Sequence, residues 1–129
     1  MSDMPEPGLE PAFELVLQRA APVVVGARSL VAITGGRLTG EGLDVAVVGG
    51  SETLLARGDG VTVAEVAYYG ADGLGHAFRA FGQGYRVGGL LRVSLMFEAP
   101  GDGPFAHLTT RVFLGEQAGD AAMAVSRII

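Results

Sequence analysis

Apolar residues recur along the chain in short runs broken by glycine, not at the repeating spacing of a helical stripe. The runs are Phe13 to Gln18, Val23 to Val25, Ser29 to Leu38, Leu43 to Val48, Thr53 to Arg57, Val61 to Tyr69, Gly75 to Phe81, Leu90 to Phe97, Ala106 to Leu114 and Ala122 to Ile129. Each is of strand length. The breaks between and within them fall at Gly35-Gly36, Gly40-Glu41-Gly42, Gly49-Gly50, Gly58-Asp59-Gly60, Asp72-Gly73, Gly82-Gln83-Gly84, Gly88-Gly89 and Pro100 to Pro104, and they read as turns. Phe13, Val16, Leu17 and Ala20 also fit a helical stripe, as does the start of Asp120 to Arg127, but both segments are taken as strands. About ten short strands predict an antiparallel sheet that closes on itself, because an open sheet would expose two long edges.

Polar residues interrupt otherwise apolar alternation. In Leu90 to Phe97, Leu90, Arg92, Ser94 and Met96 share one face, and Leu91, Val93, Leu95 and Phe97 share the other. In Ala106 to Leu114, His107, Thr109, Arg111 and Phe113 oppose Ala106, Leu108, Thr110, Val112 and Leu114. These polar faces point either to water or into a lumen. A lumenal Arg92 would need a carboxylate, since a buried unpaired guanidinium costs several kcal/mol. Glu65 and Glu52 are the candidates, and Glu52 stands just past Gly49-Gly50 in a stretch where a plain turn would need only the glycines.

The chain has 129 residues and fits one domain, taken as residues 11–129 after a loosely held arm over residues 1–10. Hydrophobic residues make up 49% and charged residues 18%, so apolar surface is expected to be covered by another copy in a homo-oligomer. A net charge of -5 with no basic cluster argues against nucleic acid as a partner. No secretory signal pattern and no bilayer-spanning apolar run is present, so the expected location is the cytoplasm, away from membranes. With no cysteine and only two histidines at unsuitable spacing, no metal site and no cofactor are expected. Gly82-Gln83-Gly84 with Gly88 lacks the helix that a dinucleotide loop needs, and Arg57-Gly58-Asp59 reads as a turn.

The order of several short motifs resembles the small bacterial DUF3237 family. They are Leu9-Glu10-Pro11-Ala12-Phe13-Glu14-Leu15, Ile33-Thr34-Gly35-Gly36, Val48-Gly49-Gly50-Ser51-Glu52, Asp59-Gly60-Val61, Tyr68, Asp72-Gly73, Leu91-Arg92, Phe97-Glu98 and Val112-Phe113-Leu114-Gly115. The resemblance implies an all-β, antiparallel, up-and-down calycin-like β-barrel with an inner cavity. It also implies that Glu52 takes the place of the family's acid after the glycine pair, that Arg92 matches a family arginine, and that Tyr68 matches a recurrent tyrosine. His107-Leu108-Thr109 and Leu74 to Phe78 depart from the family pattern and suggest a more apolar ligand.

Together these readings predict a cofactor-independent isomerase or cyclase acting on a small, largely apolar, polyketide-like metabolite inside the barrel. Such a site works by enforcing a reactive conformer and excluding water. Glu52 would be the acid/base if burial raises its pKa, Arg92 and Tyr68 would hold a carbonyl oxygen, and His107 would shuttle a proton. Glu65, Thr109, Met96, Ser94 and Phe78 are the expected substrate contacts. The second reading is a non-catalytic binding or carrier barrel using the same polar groups only for orientation.

Overall fold

A computed structural model describes residues 7–129. Nine strands run in chain order: β1 Leu9–Arg19, β2 Val23–Val25, β3 Arg28–Gly40, β4 Leu43–Ala56, β5 Val61–Ala71, β6 Ala77–Val87, β7 Leu90–Glu98, β8 Phe113–Ala118 and β9 Met123–Ile128. From β3 to β9 each strand pairs antiparallel with the next, β9 pairs with β1, and β1 pairs with β3. Eight strands therefore close an antiparallel barrel, and β2 lies as a short flap along the first residues of β3. Both segments with a helical alternative are strands, β1 and β9, because each supplies a row of side chains to the closed core.

Alternation divides each strand between lumen and exterior. Phe13 and Leu15 from β1, Val45 and Val47 from β4, Val66 and Tyr68 from β5, Leu91 to Phe97 at alternate positions of β7, Phe113 from β8, and Met123 and Val125 from β9 are buried together. The aromatic part of this core gathers towards one end. Phe97 and Phe113 meet edge to face with centroids 5.2 Å apart, and Phe13 lies 5.8 Å from Phe113. The connection between β7 and β8 plugs that end. Its 3₁₀ turn, Ala106–Leu108, follows Phe105, and both Phe105 and Leu108 are buried, with Phe105 packing 5.2 Å from Phe78.

Three expectations need correction. Ala106 to Leu114 is not one strand: only Phe113 and Leu114 fall in β8, while Phe105 and Leu108 stand three apart, the spacing of a 3₁₀ turn, and both seat on the aromatic core. Leu9 and Glu10 do not belong to an arm, because they pair with Ile128 and Arg127 in the sheet; residues 1–6 of that arm lie outside the described residues. Finally, Gly35-Gly36, Gly49-Gly50 and Gly82-Gln83-Gly84 are not turns. They lie inside β3, β4 and β6, so the runs Leu43 to Val48 and Thr53 to Arg57 form one long strand.

The glycine pairs within β3 and β4 mark paired irregularities that set the site. Relative to β5, β4 carries an extra residue between Val47 and Gly49; relative to β1, β3 carries one opposite Gln18/Arg19. An inserted residue reverses which face the following side chains occupy. Val45 and Val47 face inward before the bulge, and Glu52 does so after it, although their positions differ in parity. At Gly50 φ is 146°, and a Cβ there would stand 2.3 Å from the Ala67 carbonyl oxygen, so only glycine fits the crossing.

Candidate functional site

The barrel end opposite the plug carries a polar cluster. Four strands deliver it: Arg19 closes β1, Glu52 follows the β4 bulge, Tyr68 rises from the middle of β5, and Gln117 ends the inward row of β8. Arg19 grips Glu52 at two points, Nε to Oε1 at 2.6 Å and Nη2 to Oε2 at 2.8 Å, and Nη2 also donates to Gln117 Oε1 at 2.8 Å. The Tyr68 hydroxyl donates to Glu52 Oε2 at 2.6 Å. Gln117 Nε2 donates to the Ala121 carbonyl at 2.7 Å, which ties the cluster to the β8–β9 turn. Glu52 is only 1% exposed, whereas the Arg19 side chain retains 24%.

The electrostatics follow from that packing. Burial pushes the Glu52 carboxyl upward. The Arg19 and Tyr68 hydrogen bonds and the charges of Arg19 and Arg86 outweigh burial, so its pKa is lowered. The bond to Glu52 raises Arg19 against the opposing effect of burial. Burial first, and then the neighbouring Glu52 charge, raise the Tyr68 hydroxyl far above an ordinary tyrosine. The result is a carboxylate favoured in its ionised form beside a charged guanidinium and a protonated phenol. The shift of Glu52 is opposite in direction to the raised pKa on which the expected acid/base role depends.

Above this cluster lies a recess of about 280 Å³ lined by Arg86, Gly89, Leu91, Gln117, Gly119 and Asp120. Arg86, Leu91 and Gln117 occupy one inward row, since Arg86 pairs with Leu91 and Leu91 with Gln117. Gly89 and Gly119 come from the β6–β7 and β8–β9 turns and keep the rim low. A larger groove of about 520 Å³ lies on the outer face of β4 to β7, among Ser51, Glu65, Arg79, Phe81, Ser94 and Met96. It contains no buried ionic group; among the described residues the buried charged side chains are Glu52 at the mouth and Arg127, which pairs with Glu10 and Glu41 at the plugged end.

Of the residues expected at the site, Glu52 and Tyr68 meet, and the others go elsewhere. Arg92 faces outward on β7 and pairs with Glu116 at 2.9 Å, because the buried face of that strand is its apolar one. His107 sits on the exposed 3₁₀ turn at the plugged end, and Thr109 caps the same turn, donating to the Ala106 carbonyl at 2.7 Å. Glu65, Ser94 and Met96 line the outer groove, and Phe78 is buried in the aromatic core.

Arg19, Arg86 and Gln117 were not among the expected residues. Continuing the alternation Phe13, Leu15, Leu17 one step gives Arg19, and the Phe113, Gly115 alternation likewise gives Gln117. Among the described residues there is no helix long and apolar enough to cross a membrane, and no group of three or more metal-ligating side chains.

Comparison with known proteins follows the barrel closely. A conserved protein of unknown function from Rhodopseudomonas palustris superposes with a TM-score of 0.85 at 19% identity, covering 98% of this chain and 99% of that one. A β-barrel-like protein from Acinetobacter baumannii gives 0.83 at 18% identity, covering 99% of each chain. An enzyme from Penicillium herquei gives 0.81 at 18% identity over the whole of both chains. At such identities the likeness establishes the fold. No curated protein matches the sequence significantly. The model of the family described as "Protein of unknown function (DUF3237)" matches residues 7–90, which takes in the glycine bulges, Glu52 and Tyr68, while the motifs from Leu91 onward lie beyond the match. With more than half of its length matched, the chain belongs to the DUF3237 family.

Proposed function

We propose that the protein binds a small, largely apolar metabolite at the polar mouth of the barrel, and that the Arg19–Glu52–Tyr68–Gln117 cluster is the rigid floor that orients it. The observation that carries this reading is the state of Glu52. Its carboxylate is ionised and clamped by Arg19 and Tyr68, so it holds its neighbours in place but has little capacity to exchange a proton. A binding or carrier barrel needs such fixed polar groups, whereas the expected cyclase or isomerase chemistry needs a proton-transferring group here. The fold is shared with an enzyme from Penicillium herquei, so turnover of each bound compound is followed alongside binding.

The test is a fragment screen read by amide NMR. The reading expects shifts grouped at Arg86, Gly89, Leu91, Gln117 and Gly119 with the compound recovered unchanged. Shifts confined to the outer groove, or none at all, would overturn it.

The same reading includes assembly as a homo-oligomer. Tyr69, Tyr85 and Met96 are exposed on the outer face of β4 to β7, where Ala67, Phe81 and Met96 stand in one row across the strands. Glu65 lines the same groove, as does Arg79, which pairs with Glu98, and a two-fold axis would bring this face against the same face of a second copy.

A further inference from the structure

The charges of the mouth are not all paired. The chain has nine basic side chains, all arginine. Arg19, Arg37, Arg57, Arg79, Arg92 and Arg127 each pair with a carboxylate. Among the described residues, Arg28, Arg86 and Arg111 have no such partner; Arg28 and Arg111 are exposed, and Arg86 is the one that faces the interior. Below it, Arg19 and Glu52 neutralise one another, so Arg86 is left as an inward-facing guanidinium with no ion pair among the described residues, in a partly enclosed recess whose other charged side chain, Asp120, is exposed on the β8–β9 turn.

The other polar groups in the recess are already committed. Gln117 accepts from Arg19 through Oε1 and donates to Ala121 through Nε2, so its amide is used on both sides. Asp120, the other charged residue of the recess, is exposed on the β8–β9 turn and makes no ion pair with Arg86 among the described residues. Arg86 is therefore the donor in the recess with free hydrogen-bonding capacity, and a guanidinium in a partly dry site favours a flat anion that can accept two parallel bonds.

The geometry points to a ligand that is an organic anion: a compact apolar body with one carboxylate or comparably acidic oxygen, held by Arg86 at the β6–β7 side of the mouth. This rests on the reading of the mouth as the binding site and adds the charge of what is bound. Asp120, on the β8–β9 turn, weakens the attraction for the anion from its side of the recess.

A matched pair of probes tests it, 1-naphthoate and the isosteric, neutral 1-naphthamide, titrated by calorimetry and by amide NMR. The wild-type chain, Arg86→Met, Arg86→Gln and Asp120→Asn are compared. Because Arg86 makes no ion pair that folding depends on, its variants should keep the wild-type amide spectrum away from the mouth.

Naphthoate should bind more tightly than naphthamide. Both Arg86 variants should weaken naphthoate about 10-fold or more, the equivalent of one charge-assisted hydrogen bond, and weaken naphthamide far less. Asp120→Asn should strengthen naphthoate about two-fold to five-fold, the scale of a screened surface charge. Equal binding of the two probes at the mouth, indifferent to Arg86, would overturn the anion inference and leave the binding site standing. If neither probe at millimolar concentration shifts the amides around Gln117 and Gly89, both the inference and the reading it rests on fall.

Discussion

Glu52 and Arg19, 33 positions apart in the chain, are joined by two hydrogen bonds of 2.6 and 2.8 Å across the top of the barrel. The pair exists because β1 keeps a regular alternation up to Arg19 while β4 breaks its own at Gly49-Gly50, so the two side chains arrive on the same face at the same height. Burying such a pair costs desolvation that the contact must repay, and removing one partner leaves the other uncompensated. Arg19→Met should therefore destabilise the protein by about 3–5 kcal/mol in denaturant unfolding. A loss below about 1 kcal/mol would place Glu52 in contact with water and contradict the burial described here.

Removing the ion pair together with its phenol should behave differently. The triple variant Arg19→Met/Glu52→Leu/Tyr68→Phe leaves no buried charge unpaired, only the Gln117 Oε1 acceptor without its donor, and apolar replacements of buried ion pairs are often neutral or stabilising. It should recover most of the stability lost in Arg19→Met yet fail to bind ligand at the mouth. Full binding by the triple variant would show that the cluster is not the floor of the site.

The pH dependence follows from signs. Glu52 has a folded pKa below its ordinary 4.5, so its contribution to stability is present above that value and is lost as the pH falls below it and through the folded pKa. Tyr68 is raised above its ordinary 10.0, so its contribution is present below that value and is lost as the pH rises beyond it. Glu52→Gln should flatten the acid limb of the stability profile, and Tyr68→Phe the alkaline limb. Unchanged limbs would mean that these groups titrate alike in the folded and unfolded chain.

Residues left at the surface should be quiet. Arg92→Met breaks only an exposed pair with Glu116 and should cost about 0–1 kcal/mol. His107→Gln should stay within about 0.5 kcal/mol. Neither should alter ligand affinity. A ten-fold loss of binding in Arg92→Met would move the site to the outer face.

Assembly is checked by light scattering. Particles of at least twice the 13.2 kDa chain mass are expected, and Met96→Arg, in the outer groove, should reduce them to single chains. A wild-type particle of one chain mass across micromolar concentrations would reject the homo-oligomer.

The barrel was legible because its cause is local: short apolar runs at strand spacing have no other way to bury their faces and edges. The site was less legible because its causes are not local. Glycine pairs carry the same letters whether they end a strand or bend it, and only the pairing of β4 with β5 shows that Val47 and Glu52 share a face. Arg92 and Arg19 both sit in alternating strands. The alternation identifies the polar face of β7 but not that this face is the outer one, a choice made by the bulk of Leu91, Val93, Leu95 and Phe97 packing inward. His107 looked like a strand residue because a 3₁₀ turn placing Phe105 and Leu108 on the core mimics short alternation.

Under the proposed function, Glu52 is a fixed anion that orients a ligand, not a group that trades protons with one. The most direct measurement is the titration of the Glu52 side-chain carboxyl carbon by NMR, assigned by its loss in Glu52→Gln. The prediction is that the carboxyl remains mostly ionised at pH 4.5, with its midpoint lower still. A midpoint near neutral pH would contradict it, and would return Glu52 to the role of an acid/base catalyst.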